Sequence, residues 1–138
     1  DHPRCDSVIA YLPIDDEPNH AVLGLPHPAY IVPAKGDTDI RVILTEARSY
    51  ARGEVCVLVP GRAFDMTGTR HGRGGGWYDR FLAHAPRDWR TIGVTTPERL
   101  STTPLLRKPH DVPMDWLAVV TNGAVDSTGS PLVEWIKL

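Results

Sequence analysis

The sequence lacks the features that would place it among membrane, secreted or nucleic-acid-binding proteins. No apolar run approaches the roughly 18–20 residues that a membrane-spanning helix needs, and no secretory leader is visible. The formal net charge of the 138 residues is only −2, which argues against a nucleic acid or a membrane surface as an electrostatic partner. We expect a single soluble domain over residues 1–138, cytoplasmic and monomeric.

Cysteine is equally scarce. The chain has two cysteines, Cys5 and Cys56, which make no disulfide framework. Because Cys56 lies inside an apolar run, we expect it to be a small buried apolar side chain.

Two common phosphate-binding motifs are also missing. A Walker A loop ends in Gly-Lys-Ser/Thr, and no such ending occurs. The dinucleotide pattern G-x-G-x-x-G is absent too, because Gly72, Gly74 and Gly76 alternate instead. Any phosphate site in this chain must therefore be built differently.

The segment over residues 55–85 has the order strand, glycine-rich loop, helix. An apolar run at 55–59 predicts a buried strand that Pro60 and Gly61 end, and residues 77–85 predict a helix. The loop between them holds five glycines: Gly68, Gly72, Gly74, Gly75 and Gly76. Glycines let successive N–H groups turn inward around an anion, and a helix N-terminus adds further donors. Arg70 and Arg73 add guanidinium groups that fit phosphate oxygens, so we favour a phosphate site over an ordinary mobile loop.

Further strands are predicted along the chain. They cover residues 7–12, 29–33, 39–45, 91–94 and 116–120, and a turn at 121–123 ends the last of them. Residues 132–138 form an edge strand or a docking tail. Strands that alternate with loops and helices indicate an α/β fold, a three-layer α/β/α domain with a largely parallel sheet. An acidic turn over residues 14–18 follows the first strand, where open α/β sheets bind ligands.

Two segments resemble a known family. Residues 60–82 read P-G-x-A-F-D-x-x-G-x-R-x-G-x-G-G-G-W-Y-D-R-F-L, which resembles the signature of the 5-formyltetrahydrofolate cyclo-ligase (5,10-methenyltetrahydrofolate synthetase) family. Trp77 stands where that family usually has Tyr or Phe. Residues 10–17, A-Y-L-P-I-D-D-E, resemble the segment that ends the family's first core strand. The resemblance implies the cyclo-ligase fold (NagB/RpiA/CoA-transferase-like) over residues 7–122.

The resemblance also implies a reaction. Family members use ATP and Mg²⁺ to convert the small molecule 5-formyltetrahydrofolate into 5,10-methenyltetrahydrofolate, releasing ADP and phosphate. The formyl oxygen attacks the γ-phosphate, the amine at N10 closes the ring, and phosphate leaves. Phosphoryl transfer of this kind needs charge stabilisation at the γ-phosphate and positioning of both reacting groups.

Site residues follow from the matching positions. The resemblance assigns the ATP phosphates to Arg70, Gly72, Arg73, Gly74, Gly75 and Gly76, with Trp77 and Tyr78 beside them. It assigns the folate to Leu12, Glu17 and Trp77, the Mg²⁺ to Asp79 and Asp111, and catalysis to Arg73 and Tyr78. Two alternatives stay open. Asp79 can simply be a carboxylate favoured by a helix N-terminus, and Trp77 can be a core anchor. Asp65 is expected to order its own turn instead of contacting a ligand.

The sequence departs from the family in two places. It lacks the family's basic N-terminal helix, and residues 46–54 contain no Glu-Pro pair of the kind that lines the folate pocket. Two further hypotheses therefore stand beside the cyclo-ligase. One is a shortened paralogue that binds nucleotide or another ligand without the folate reaction, and the other is a non-catalytic binding module.

Overall fold

The computed structural model describes residues 2–14, 17–33, 39–72 and 76–138. The strands in chain order are β1 (Ser7–Tyr11), β2 (Tyr30–Val32), β3 (Val55–Val59), β4 (Ala63–Asp65), β5 (Arg70–His71), β6 (Arg90–Thr95), β7 (Leu100–Ser101), β8 (Trp116–Val125) and β9 (Pro131–Lys137). The α-helices are α1 (Ile40–Tyr50) and α2 (Trp77–His84), and single 3-10 turns run over His20–Leu23 and Pro97–Arg99. Apart from the segment at 39–45, each predicted strand and the predicted helix is present, with shifts at the ends.

The larger sheet has six strands in the order β2-β1-β3-β6-β8-β9. Every neighbouring pair from β2 to β8 is parallel, and only β9 runs antiparallel to its neighbour. The carboxyl ends of the parallel strands therefore share one edge of the sheet. The predicted α/β class with a largely parallel sheet is confirmed.

The two faces of this sheet are covered differently. Both α-helices pack on one face. Their buried side chains there are Ile43, Leu44, Ala47, Trp77, Phe81 and Leu82. In the described part of the chain, the other face is covered by the 3-10 turn through Leu23 and by Leu25, without an α-helix. No helix among the described residues has the length and hydropathy that a membrane span requires.

The strand predicted at 39–45 is wrong, because these residues begin helix α1. The Asp39 carboxylate accepts a hydrogen bond from the Arg41 N–H (2.9 Å) and so caps the helix. The β-branched residues of the segment favoured a strand. The buried residues Ile43, Leu44 and Ala47 have the spacing of one helix face instead. That spacing can be recognised only when all eleven residues of α1 are considered.

The expectation that the two cysteines make no disulfide framework is also wrong, although Cys56 is fully buried as expected. Cys5 and Cys56 form a disulfide across a sequence separation of 51 residues. The pairing of β1 with β3 brings them together, because Cys5 lies just before β1 and Cys56 lies within β3. Since stable disulfides are rare in the reducing cytosol, this bond does not support the expected cytoplasmic location, which stays a prediction.

The two C-terminal strands form a hairpin, of which the sequence analysis named both strands, the second as one of two alternatives, but not the position of the turn. The predicted turn at 121–123 does not end β8, which continues to Val125. β9 pairs along β8 from Lys137 opposite Trp116 to Pro131 opposite Val125. The C-terminal residues therefore form the edge strand that was one of the two alternatives.

The glycine-rich loop contains a small second sheet, which the sequence did not predict. Strands β4 and β5 form an antiparallel hairpin, and β7 runs parallel to β4. The hairpin is held on the larger sheet by Phe64, which is fully buried and lies over Gly93 of β6. A Cβ at Gly93 would collide with the Phe64 ring, so the close approach requires glycine.

The disulfide generates a stability prediction. Chain-entropy arithmetic for a loop with this 51-residue separation gives a stabilisation of up to about 4 kcal/mol, so reduction should lower the free energy of unfolding by up to that amount. Urea unfolding with and without dithiothreitol measures the change. Cys5→Ser is the control, because its unfolding curve should match that of the reduced protein and should not change when dithiothreitol is added. Identical wild-type curves, together with two titratable thiols, would contradict the pairing.

Candidate functional site at the sheet edge

The strand order places a crevice between β1 and β3. From β1 the chain crosses to β2 on one side, whereas from β3 it crosses to β6 on the other. Open α/β sheets bind ligands where the direction reverses, outside the carboxyl ends of the strands. The chain leaves β1 at Leu12 and β3 at Pro60, at this edge of the sheet. Both positions belong to the two segments, 10–17 and 60–82, that carried the sequence resemblance.

Arg70 is a buried cation in this crevice. Its side chain is only 5% exposed. Nη1 donates to the Pro60 carbonyl oxygen (3.0 Å), Nη2 lies 3.8 Å from Asp79 Oδ2, and the guanidinium carbon lies 5.4 Å from the centre of the Tyr78 ring. Burial lowers the pKa of Arg70, and the negative charges of Asp79 and then Asp111 oppose that shift. Arg70 therefore ties the end of β3 to the first turn of α2.

The Arg70 Nε–H is an unsatisfied donor. It is buried, and no hydrogen-bond acceptor reaches it among the described residues. Leaving a buried polar group unpaired costs free energy, so such groups in native proteins usually have a functional reason. The Nε–H is therefore the one polar group of the Arg70 side chain for which the described residues provide no explanation.

The glycines around Arg70 leave room at the start of α2. A Cβ at Gly72 would lie 2.7 Å from Arg70 Nη1, so a larger residue would displace the guanidinium. Gly76 has a φ of +63° at the N-cap of α2, and its position has no side-chain cap. The N-cap residue itself supplies no side-chain acceptor for the first N–H groups of the helix, and backbone donors at a helix start suit an anion. Arg73, Gly74 and Gly75, which complete the predicted cradle, lie outside the described residues.

The predicted metal ligands Asp79 and Asp111 lie at the same corner. Asp79 is in the first turn of α2, and its Oδ1 accepts from the N–H of Val112 (3.1 Å), the residue after Asp111. Asp111 Oδ2 accepts from the Lys108 N–H (2.9 Å). The described residues contain no group of three His, Cys, Asp or Glu side chains arranged around a metal.

Trp77 and Tyr78 are packed inside the core. Trp77 is 7% exposed and stacks on Phe81, with ring centres 5.3 Å apart. This environment agrees with the core-anchor alternative, so a folate contact by Trp77 stays a prediction. Tyr78 is also buried, and burial, followed by the charge of Glu17, raises its pKa while Arg70 opposes the rise.

Glu17 follows β1 on the other side of the crevice. Its charge adds to burial in raising the pKa of both Tyr11 and Tyr78. Its N–H donates to the Ile14 carbonyl oxygen (3.0 Å), and its Oε1 accepts from the Ile14 N–H (3.0 Å). Leu12 is 66% exposed beside it, on a surface that a ligand can reach.

Asp65 holds together the β4–β5 turn and the loop that follows β7. Its Oδ1 accepts from the Thr67 N–H and hydroxyl and from the Thr69 N–H, which confirms that it orders its own turn. Its Oδ2 accepts from the Leu105 N–H and fastens residues 101–108 to the hairpin. Arg107 strengthens this link by donating from Nε to Thr69 Oγ1 (2.9 Å).

The sequence carries a signal for the Asp65 turn but none for its second contact, with Leu105. Residues 65–69 read D-M-T-G-T and residues 126–130 read D-S-T-G-S. Asp126 makes the same three contacts to Thr128 and Ser130 at the β8–β9 turn. The repeat marks a common hairpin turn, and only the first copy is buried beside the site.

Comparison with known proteins identifies the family. The model of the 5-formyltetrahydrofolate cyclo-ligase family matches residues 42–122, which is more than half of the chain. The chain belongs to the 5-formyltetrahydrofolate cyclo-ligase family. The matched residues include β3, the glycine-rich loop, α2 and Asp111.

Individual cyclo-ligase relatives agree. The chain is 39% identical over 69 residues to the 5-formyltetrahydrofolate cyclo-ligase of Mycolicibacterium smegmatis, covering 50% of this chain and 35% of that protein. The chain therefore matches about a third of the length of this curated relative. The 5,10-methenyltetrahydrofolate synthetase of Aquifex aeolicus shares the fold, with a TM-score of 0.55, 22% identity and coverage of 87% of this chain and 70% of that chain. The synthetase of Mycoplasma pneumoniae aligns with a TM-score of 0.49 and 21% identity, over 83% of this chain and 73% of that chain.

The two copies of the Asp turn provide a matched test. In Asp65→Asn the amide oxygen can keep the contacts of Oδ1, but the NH₂ group then faces the Leu105 N–H. We expect a loss of about 1–3 kcal/mol in the free energy of unfolding, measured by urea denaturation. Asp126→Asn keeps all the hydrogen bonds described for Oδ1, so it should change stability little.

The same pair has an expected pH dependence. Burial raises the pKa of Asp65, but hydrogen bonds from Leu105, Thr67 and Thr69 outweigh it, so the folded-state pKa lies below the ordinary 3.8. The resulting stabilisation of the folded state is fully present above the ordinary pKa of 3.8, and it is lost as the pH falls through the lowered folded-state pKa. Asp65→Asn should lack this acid-dependent loss. Equal effects of the two substitutions would show that the Leu105 contact contributes nothing.

Proposed function

We propose that this chain catalyses the ATP- and Mg²⁺-dependent cyclisation of 5-formyltetrahydrofolate to 5,10-methenyltetrahydrofolate, with release of ADP and phosphate. The observation that supports this most is the cluster around the buried Arg70, whose guanidinium lies 3.8 Å from Asp79 and 5.4 Å from the centre of the Tyr78 ring, while Asp79 accepts from the N–H of Val112, next to Asp111. Family membership supplies the substrate class, and the crevice supplies groups suited to each part of the reaction. The remaining expectations, a cytoplasmic monomer without nucleic-acid or membrane partners, are part of this proposal.

The ATP phosphates would bind at the glycine-rich loop. Arg70 would offer its Nε–H, which has no acceptor among the described residues, and the start of α2 would offer backbone N–H donors. Gly72, Gly74, Gly75 and Gly76 would let the backbone approach the phosphates, and Arg73 would contribute a second guanidinium. Buried donors that are already oriented stabilise the charge of a transferring phosphoryl group without reorganising.

Mg²⁺ would be held by Asp79 and Asp111. Protein-bound Mg²⁺ commonly has one or two carboxylate ligands and completes its shell with phosphate oxygens and water. Two carboxylates joined through the Val112 backbone fit that requirement. The bound ion would supply charge neutralisation at the β- and γ-phosphates.

The folate would bind on the β1 side of the crevice. Leu12 offers exposed apolar surface, Glu17 offers a carboxylate, and Trp77 would border the ring system. Tyr78 lies beside Arg70, and its raised pKa keeps the phenol neutral, so it would add no negative charge beside the phosphates. We assign catalytic roles to Tyr78 and Arg73, which would lie between the folate and phosphate sides.

A second candidate is a diverged paralogue that binds nucleotide or another ligand without the folate reaction. It is favoured by residues 46–54, which end α1 and turn into β3 without the family's Glu-Pro pair. A third, a non-catalytic binding module, would bind no ATP. Isothermal titration with ATP separates this third candidate from the other two.

An absorbance assay tests the proposed reaction. Protein, 5-formyltetrahydrofolate, ATP and Mg²⁺ are mixed, and the band of the methenyl product is followed. We expect the absorbance of this band to increase only when the protein, the folate, ATP and Mg²⁺ are all present. No increase with ATP still bound would favour the diverged paralogue, and the assay should then be repeated on the full-length gene product.

Arg73→Ala tests the phosphate cradle. Loss of a charge-assisted contact to phosphate should weaken ATP binding about tenfold or more, measured by isothermal titration, while thermal unfolding stays unchanged. Arg87→Ala is the control, because Arg87 is exposed beyond the other end of α2. Unchanged ATP affinity in Arg73→Ala would remove the phosphate assignment.

A further inference from the structure

Tyr11 is a buried tyrosine for which the sequence indicated no role. It ends β1 and is 2% exposed. Its hydroxyl group donates a hydrogen bond to the Pro18 carbonyl oxygen (2.8 Å). A buried tyrosine hydroxyl generally needs a partner, and a phenylalanine would fill the same space without one. The hydrogen bond to Pro18 is therefore the structural feature that distinguishes tyrosine from phenylalanine at this position.

Tyr11 also contacts His20, nine residues further along the chain. The His20 Nε2–H donates to the Tyr11 carbonyl oxygen (2.7 Å). The imidazole packs edge-on against the phenol ring, with ring centres 4.9 Å apart and an interplanar angle of 78°. Tyr11 thus contacts both Pro18 and His20, which follow Glu17 in the chain.

Glu17 lies between Tyr11 and Pro18 in the chain. Its backbone N–H and its carboxylate each bond to Ile14, and its next neighbour is Pro18, the acceptor of the Tyr11 hydroxyl. A shift of the backbone at Glu17 would therefore break the Tyr11 contact. The charge of Glu17 adds to the burial that raises the pKa of Tyr11, as expected for a carboxylate held near the phenol.

We propose that Tyr11 is a positioning residue, which acts through Pro18 to hold the Glu17 carboxylate at the place where the folate binds. This inference rests on the proposed function, in which Glu17 contacts the folate. Tyr11 itself need not touch the substrate. Its hydroxyl fixes the backbone that presents the carboxylate.

Tyr11→Phe removes only the hydroxyl group. We expect the KM for 5-formyltetrahydrofolate to rise about three- to tenfold, the KM for ATP to stay unchanged and kcat to change less than twofold. Tyr30→Phe is the matched control. Tyr30 lies on the neighbouring strand β2 and stacks on Tyr50, with ring centres 6.2 Å apart, away from Glu17. Equal folate KM values in wild type and Tyr11→Phe would overturn the inference.

A double-mutant cycle distinguishes positioning from a general loss of packing. If Tyr11 acts through Glu17, then Tyr11→Phe should have little further effect on folate affinity in the Glu17→Gln background. Fully additive effects of the two substitutions would overturn the inference, because they would show that Tyr11 acts independently of Glu17.

Hydrogen exchange separates this inference from the proposed function. The Ile14 and Glu17 amides should exchange faster in Tyr11→Phe than in wild type or Tyr30→Phe, and unchanged exchange would overturn the positioning role. Folate titration of the wild type is measured first. Absence of folate binding there overturns the proposed function and this inference with it, whereas wild-type binding with an unaffected Tyr11→Phe variant overturns the inference alone.

Discussion

The buried positive charge of Arg70 is the constraint on which the crevice depends. A guanidinium does not lose its proton in a protein, so its burial must be compensated by nearby acceptors and negative charge. Here the Pro60 carbonyl, Asp79 and Asp111 supply that compensation. Each comes from a different part of the chain, the end of β3, the first turn of α2 and the loop before β8. The charge thus brings together the groups to which the proposed function assigns phosphate and Mg²⁺ binding.

The surrounding fold gives this cluster a rigid support. The β4–β5 hairpin carries Arg70, and Phe64 holds the hairpin on the larger sheet through Gly93. Asp65 and Arg107 fasten residues 101–108 to the same hairpin. Across the crevice, Tyr11 contacts Pro18 and His20 in the segment after β1. Donors and carboxylates are therefore oriented before any ligand arrives, which is the condition for electrostatic stabilisation of phosphoryl transfer.

Much of this arrangement could be predicted from the sequence, and the failures have physical causes. β3 and α2 were predictable because Pro60 and Gly61 end a fully apolar run and because Trp77 and Phe81 share one helix face. Helix α1 was missed because its first residues are β-branched and its period shows only at full length. The disulfide and the contact of Asp79 with Val112 join residues far apart in sequence, which only the sheet topology brings together. Strands as short as β4 and β5 show no period at all.

The most direct measurement of the central claim is the Nε–H signal of Arg70 in a ¹H–¹⁵N spectrum, recorded with and without ATP and Mg²⁺. Arg107 is an internal reference, because its Nε–H already donates to Thr69 Oγ1. If phosphate occupies the place beside the unsatisfied donor, the Arg70 signal should shift on addition of ATP while the Arg107 signal stays in place. An Arg70 signal that does not move at saturating ATP would contradict the account.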